Sequence, residues 1–380
     1  MLGSIGTGVM KIILLSYGFV EYTIPLANAL SDIQGLDVVL IEPRKRIEPH
    51  IEMVREGVTV EAFYPPRLRN PTNLITVHKL IKRINHYRPD VIHIQRGHFW
   101  FNFALPILKT YPLVVTIHDI VKHRGDRQSR LTALTNKFNI RYADKIIVHG
   151  QKLKEQMINE FKRSPESIEV IMRGDYYSFY NLGGPQRKYL QEEGHLILFF
   201  GRIWEYKGLE YLIRAEPLIS KEVPDARIVI AGEGENFNKY YKMIVNKERY
   251  IILNHHIPDE MVGELFEKCC VVVLPYVEAS QSGVIPLAYA FKKPVVVTNV
   301  GSLPEVVDDG ETGYIVPPRD PEKLAKAIID LLTNNEKRKR MGENAFKKTQ
   351  EELSWKNVAL RTVEVYKKAL ALKGKSVQKS

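Results

Sequence analysis

Two stretches of the chain carry side chains suited to gripping a diphosphate. The first, Leu196–Gly208, reads LILFFGRIWEYKG: an apolar run fit for a buried strand, then Gly201-Arg202, then Lys207-Gly208. A guanidinium fork and an ammonium point charge, flanked by glycines that let the backbone come close, match the oxygens of a phosphoanhydride. The second, Val271–Phe291, reads VVVLPYVEASQSGVIPLAYAF, a strand, a small polar loop and a helix. Backbone N–H groups at a helix start carry partial positive charge, so Ser280, Gln281, Ser282, Gly283 and Val284 form an anion seat. A plain helix cap by Ser280 or Ser282 would leave the same pattern. A third candidate is His118, which closes the apolar run LVVTIHD, where a histidine is either a structural hydrogen-bonding group or one offered to a ligand. Asp119 beside it either orients that ring or caps the next turn. His93, inside DVIHIQ, reads as a buried partner of the sheet.

The elements that must position these groups alternate regularly. From Lys11 the strands are KIILLSY, DVVLIE, DVIHIQ, LVVTIHD and KIIVHG, separated by helical segments; the second half restarts with LILFFGR, ARIVIAGEG, YIILNHH, VVVLPY, PVVVTNV and Tyr314–Val316. Near-continuous apolar strands alternating with helices imply parallel sheets covered on both faces, with ligands held at the carboxyl ends of the strands. At 380 residues the chain exceeds what one core usually supports, so two domains are expected. The Gly-Gly-Pro stretch NLGGPQRKYLQEEG marks the junction. The expected division is a first Rossmann-like domain over 1–180, a linker over 181–194, a second Rossmann-like domain over 195–353, and a closing helix and tail over 354–380. Residues before Met10 are set aside from the fold, which starts with KIILLSY.

Composition narrows the function. The longest apolar runs fall well short of the roughly 20 residues a spanning helix needs. Cys269 and Cys270 are adjacent, so they build neither a disulfide framework nor a separated-pair zinc site, and a reducing cytoplasm is the expected location. No Gly-x-Gly-x-x-Gly follows the first strand, which argues against a dinucleotide dehydrogenase. Basic and aromatic residues do not interleave as in single-strand binders, and no helix-turn-helix is evident, so nucleic acid is not an expected partner. The net charge is +11, and residues 1–180 hold 25 Lys and Arg against 17 Asp and Glu. Within that half, NLITVHKLIKRINHY places Leu74, Val77, Ile81 and Ile84 on one helical stripe and Lys79, Lys82, Arg83 and His86 largely away from it. With Arg67, Arg69, Lys122, Arg124, Arg127 and Arg130, this basic face would suit an anionic membrane surface, placing the protein peripherally on the inner face of the membrane.

Read together, FFGRIWEYKGLEYLI, IVIAGEG, PVVVTNVGSLPEVVDDGETGYIVPPRDPEKLAKAI and the helix around Trp355 resemble the donor domain of the retaining nucleotide-sugar glycosyltransferases of family four. DVIHIQ, VVTIHD, ADKIIVHG and IEVIMRGD resemble the acceptor domain of the same family. The resemblance implies the GT-B architecture: two Rossmann-like parallel-sheet domains facing a central cleft, with the C-terminal helix returning to the first. It implies a glycosyltransferase that takes a UDP- or GDP-sugar as substrate, uses no separate cofactor and transfers the sugar with retention. The sequence holds no clustered Asp-x-Asp ligand pair in a convincing loop, so no metal is expected, and the basic first half points to a glycan or lipid-linked acceptor. Arg202 and Lys207 would then meet the donor diphosphate, the loop at Gln281, Ser282 and Gly283 the phosphates and sugar hydroxyls, and His118 the transferred sugar. These three charged or ionisable residues, His118, Arg202 and Lys207, are the expected catalytic set. Gly18, Gly201, Glu278, Ser280 and Val284 complete the donor-binding set. Two departures stand out: the family's second glutamate position falls at Pro286 or Leu287, and its N-terminal Gly-Gly pair is reduced to Gly18. A nucleotide-sugar epimerase or a sugar phosphorylase on the same fold is the alternative.

Overall fold

The computed structural model describes residues 9–118, 130–180 and 194–377. The chain divides into two compact units, one built from residues up to 172 and from Trp355 onward, the other from Arg173–Ser354.

The first unit holds a seven-stranded sheet of β1 (Met10–Ser16), β2 (Leu36–Pro43), β3 (Val58–Phe63), β4 (Val91–Arg96), β5 (Leu113–Ile117), β6 (Lys145–Val148) and β7 (Ile168–Val170). Their order is β3-β2-β1-β4-β5-β6-β7, and every pairing is parallel. The second unit holds β8 (Leu196–Phe200), β9 (Arg227–Ala231), β10 (Tyr250–Leu253), β11 (Val271–Leu274), β12 (Val295–Thr298) and β13 (Gly313–Val316), in the order β10-β9-β8-β11-β12-β13, again all parallel. Strand order reverses beside β1 and β4 in one sheet and beside β8 and β11 in the other. Loops leaving the carboxyl ends of neighbouring strands diverge at such a point and open a crevice. Ile12–Leu15 of β1 and Val271–Leu274 of β11 are buried throughout, which holds these crevice walls rigid.

The helix Trp355–Val377 packs on the first unit, against Val20–Ser31 and against β4, β5 and β6, so the C-terminal helix returns to the first domain as expected. Its Tyr366 hydroxyl meets His93 Nδ1 at 2.7 Å, and Thr116 Oγ1 meets His93 Nε2 at 2.8 Å. Burial pushes the His93 pKa down to about 3, so the ring stays neutral and serves as a fixed link between helix and sheet. Cys269 is likewise a buried structural residue, its thiol pushed up to about 12 by burial.

Three details differ from the sequence reading. The first sheet has two strands beyond the five expected, β3 and β7, both short and interrupted by polar residues. Arg173–Tyr180 belongs to the second unit instead of the first domain, because Tyr176 and Phe179 bury their rings there. Linker residues 181–193 lie outside the described residues. In the helix Asn73–Tyr87 the buried stripe is Asn73, Val77, Leu80 and Ile84, with Ile81 half-buried, while Leu74 is 48% exposed. No helix among the described residues is long and apolar enough to cross a membrane.

Candidate functional site

In the second unit the loops after β8 and β11 lock together. Gly208 has φ +66, and a Cβ there would stand 1.9 Å from the Pro275 carbonyl oxygen, so only glycine lets the two backbones touch. The Tyr206 carbonyl accepts the amides of Val277 at 2.8 Å and Glu278 at 3.3 Å, which fastens one loop to the other. This contact lays the Lys207 ammonium over the Tyr276 ring, 3.7 Å from its centre, with the Tyr206 ring at 5.1 Å. Arg202 is exposed and donates to the Tyr206 hydroxyl at 3.3 Å. Tyr276 is buried, its phenol pushed up to about 12 by burial, and its hydroxyl lies 3.4 Å from Ser282 Oγ. Gly201, Arg202, Lys207, Glu278, Ser280, Gln281, Ser282 and Gly283 therefore occupy two interlocked loops at one switch point, and Val284 opens the helix that follows.

The anion seat is more modest than the sequence reading suggests. The helix Val284–Ala290 has only seven residues, its N-cap is Gly283, and Ser282 Oγ already accepts the Val284 amide at 3.3 Å. Ser280 is buried, with its carbonyl taken by the Ser302 amide. The positive charge of this site thus comes chiefly from Arg202 and Lys207. Pro286 and Leu287, which stand at the family's second glutamate position, are buried in the helix.

In the first unit the loops after β1, β5 and β6 form a second cluster. Gly18 has φ +117 and Phe19, unusually for a residue with a side chain, φ +115. Behind this turn lies Glu42, which accepts the Gly18 amide at 3.2 Å and the Thr23 hydroxyl at 2.7 Å. Burial pushes the Glu42 pKa up to about 7 against those hydrogen bonds, which pull it down. The Phe19 ring stands 4.5 Å from His118 and 5.5 Å from the Arg96 guanidinium. His118 Nδ1 lies 3.1 Å from Nε2 of His149, whose own Nδ1 lies 2.8 Å from the Ile171 carbonyl oxygen. Gly18 and His118 are thereby brought together; Asp119 lies outside the described residues.

Sequence reasoning did not single out Glu42, His149, Tyr276 or Tyr176. Tyr176 packs on Gly283 and takes a hydrogen bond and a cation–π contact from Arg173. Among the described residues no group of three or more His, Cys, Asp or Glu is placed to hold a metal ion.

Residues 18–174 match Glycosyltransferase Family 4, and residues 185–348 match Glycosyl transferases group 1. The chain belongs to this glycosyltransferase family. It is similar to an uncharacterized glycosyltransferase of Methanocaldococcus jannaschii, 31% identical over 242 residues that make up 60% of this chain and 61% of the relative. It is also similar to the D-inositol 3-phosphate glycosyltransferase of Corynebacterium diphtheriae, 28% identical over 88% of this chain and 83% of that protein. Among solved structures it resembles Anabaena HepE in complex with UDP, with a TM-score of 0.70 at 19% identity, covering 94% of this chain and all of that one. The GT-B architecture of two Rossmann-like domains is thus shared, as the family resemblance implied.

Proposed function

We propose that this glycosyltransferase moves a sugar from a UDP- or GDP-sugar to a hydroxyl of a glycan or lipid-linked acceptor, with retention and without a metal ion. The observation that carries the reading is the interlocked pair of loops that puts Arg202 and Lys207 at the β8/β11 switch point. Breaking the anomeric bond leaves negative charge on the departing diphosphate. Preorganised cationic donors in a water-poor site stabilise such charge by about 3 kcal/mol each. Arg202 and Lys207 supply two, with the share of the exposed Arg202 reduced by solvent until a donor covers it. Attack by the acceptor hydroxyl on the face the diphosphate leaves, its proton passing to the leaving phosphate oxygen, conserves configuration with no protein nucleophile. A UDP donor is favoured by the UDP bound in the HepE complex, and a phosphorylated or lipid-linked acceptor by the basic first half.

The membrane reading has support in the surface of the first unit. Between Tyr64 and Thr110 the sequence holds eight Lys and Arg and one acidic residue, Asp90. Leu74, Ile75, Phe103 and Ile107, in the same stretch of chain, are exposed. Of the basic positions expected to contribute, Lys122, Arg124, Arg127 and the Arg130 side chain lie outside the described residues.

The deciding experiment incubates the enzyme with UDP- and GDP-sugars, with and without an acceptor lipid extract, in the presence of chelator. Acceptor-dependent release of nucleoside diphosphate unaffected by chelator supports the reading. Donor isomerisation without any acceptor would make the protein an epimerase, and a strict requirement for Mg²⁺ or Mn²⁺ would overturn the metal-free mechanism.

A further inference from the structure

His149 follows directly on the strand β6 and is buried, sealed by the ring of Tyr22, which also packs on His118 and Trp355. Its hydrogen bonds fix where its proton sits. The Ile171 carbonyl oxygen, 2.8 Å from His149 Nδ1, can only accept, so Nδ1 carries the hydrogen. A neutral imidazole has one N–H, which makes His149 Nε2 an acceptor. The hydrogen in the 3.1 Å contact between the two rings therefore belongs to His118 Nδ1. With its single hydrogen on Nδ1, a neutral His118 presents a lone pair at Nε2.

We propose that His149 is a positioning residue that locks His118 in the Nδ1–H tautomer, so that His118 Nε2 accepts a hydrogen bond from a hydroxyl of the transferred sugar. This rests on the donor-sugar role given to His118 above. The opposite tautomer would set two lone pairs against each other across 3.1 Å, and turning His149 to avoid that would leave the Ile171 carbonyl without its donor. The chain Ile171 carbonyl, His149, His118 thus acts as a one-way relay: a backbone acceptor at one end dictates an acceptor at the other. Its second member replaces the carboxylate that often orients a functional histidine with a neutral ring, which sets the tautomer without adding charge beside an anionic donor.

The test separates tautomer from catalysis. Protein labelled with ¹⁵N at histidine is examined at pH 8, well above the ordinary histidine pKa of about 6.5, and His118 signals are assigned by their loss in His118→Gln. The wild type should show a protonated Nδ1 and a bare Nε2 on His118. His149→Leu should release the tautomer and lower kcat about 10- to 100-fold, the range typical of losing an orienting partner, with nucleotide affinity changed less than about twofold. His149→Gln places a side-chain carbonyl where Nε2 stands and should restore both the tautomer and most of kcat. A protonated His118 Nε2 in the wild type overturns the proposal. So does a His149→Leu variant with the wild-type tautomer or undiminished kcat. The NMR result needs no turnover, so a failure of the transfer reading leaves a distinct signature: the tautomer as expected, and His118→Ala without effect on rate.

Discussion

The Lys207 ammonium stands 3.7 Å from the centre of the Tyr276 ring, closer than any other cation–ring pair among the described residues. An ammonium held this way keeps its charge but loses the freedom of its four-carbon stem, so less entropy is lost when a phosphate arrives. Lys207→Ala should therefore cut turnover about 100- to 1,000-fold. Tyr276→Phe, which keeps the ring, should stay near wild type. Tyr276→Leu should lose the cation–π contact, worth about 0.5–2 kcal/mol and hence about 2- to 30-fold in turnover. Steady-state kinetics with thermal melting as a fold control checks the series. Equal damage from Phe and Leu would assign the effect to the hydroxyl that faces Ser282.

Gly283 is crowded by a neighbour 107 positions earlier in the chain. A Cβ at Gly283 would lie 3.1 Å from Tyr176 Cε2 and 3.4 Å from its hydroxyl, and Tyr176 is itself buried. Gly283→Ala should destabilise the second unit by about 1–3 kcal/mol through overpacking and weaken nucleotide binding with it. Adding Tyr176→Leu removes the obstructing ring and should recover part of both losses, a coupling that a double-mutant cycle measures directly. Strictly additive losses would show that the two side chains do not act on each other.

How much of this was legible in the sequence depends on how local each signal is. Strands such as KIILL and VVVL announce parallel sheets because both faces are buried, and the glycine-flanked Arg202 and Lys207 announce a strand-end loop. Glu42 does not: at the end of VVLIEP it reads as a solvated residue, and only packing against Gly18 and Thr23, 24 and 19 positions away, makes it part of the site. His149 and Tyr276 gain their roles from partners on other strands in the same way. The helical stripe differs from the apolar pattern at two positions: Leu80 is buried in place of Ile81, and its first buried member is Asn73 in place of Leu74, its amide bonded to the carbonyls of Arg67 and Asn70. Apolar patterning does not see a polar residue satisfied in this manner.

Glu42 also predicts a pH dependence. Its folded pKa of about 7 lies above the ordinary carboxylate value of 4.5, so the folded protein binds the proton more tightly than the unfolded chain. Stability attributable to this group is therefore full below about pH 4.5, falls as pH rises toward 7, and levels off beyond it, by up to about 3 kcal/mol. Urea unfolding of wild type and Glu42→Gln at pH 5 and pH 8 isolates the effect. The variant should gain on the wild type between the two pH values. A constant difference would place the Glu42 titration outside this window.

The surface of the first unit carries the last prediction. The basic residues between Tyr64 and Thr110 lie in the same stretch of chain as Leu74, Ile75, Phe103 and Ile107, and the Trp100 indole donates to the Leu68 carbonyl at 2.6 Å, tying the aromatic segment to the loop that precedes the helix Asn73–Tyr87. Each charge near an anionic bilayer contributes about 1 kcal/mol and is screened within a Debye length of about 8 Å at physiological salt, whereas burial of apolar side chains is insensitive to that screening. Sedimentation with vesicles rich in anionic lipid should therefore show binding that weakens as salt rises and is absent with neutral lipid. Phe103→Glu should reduce the fraction that persists at higher salt, and Lys79→Glu with Lys82→Glu should abolish binding at low salt. Wild-type protein that stays in the supernatant with anionic vesicles at low salt would rule out the membrane surface and direct the search to an acceptor in solution.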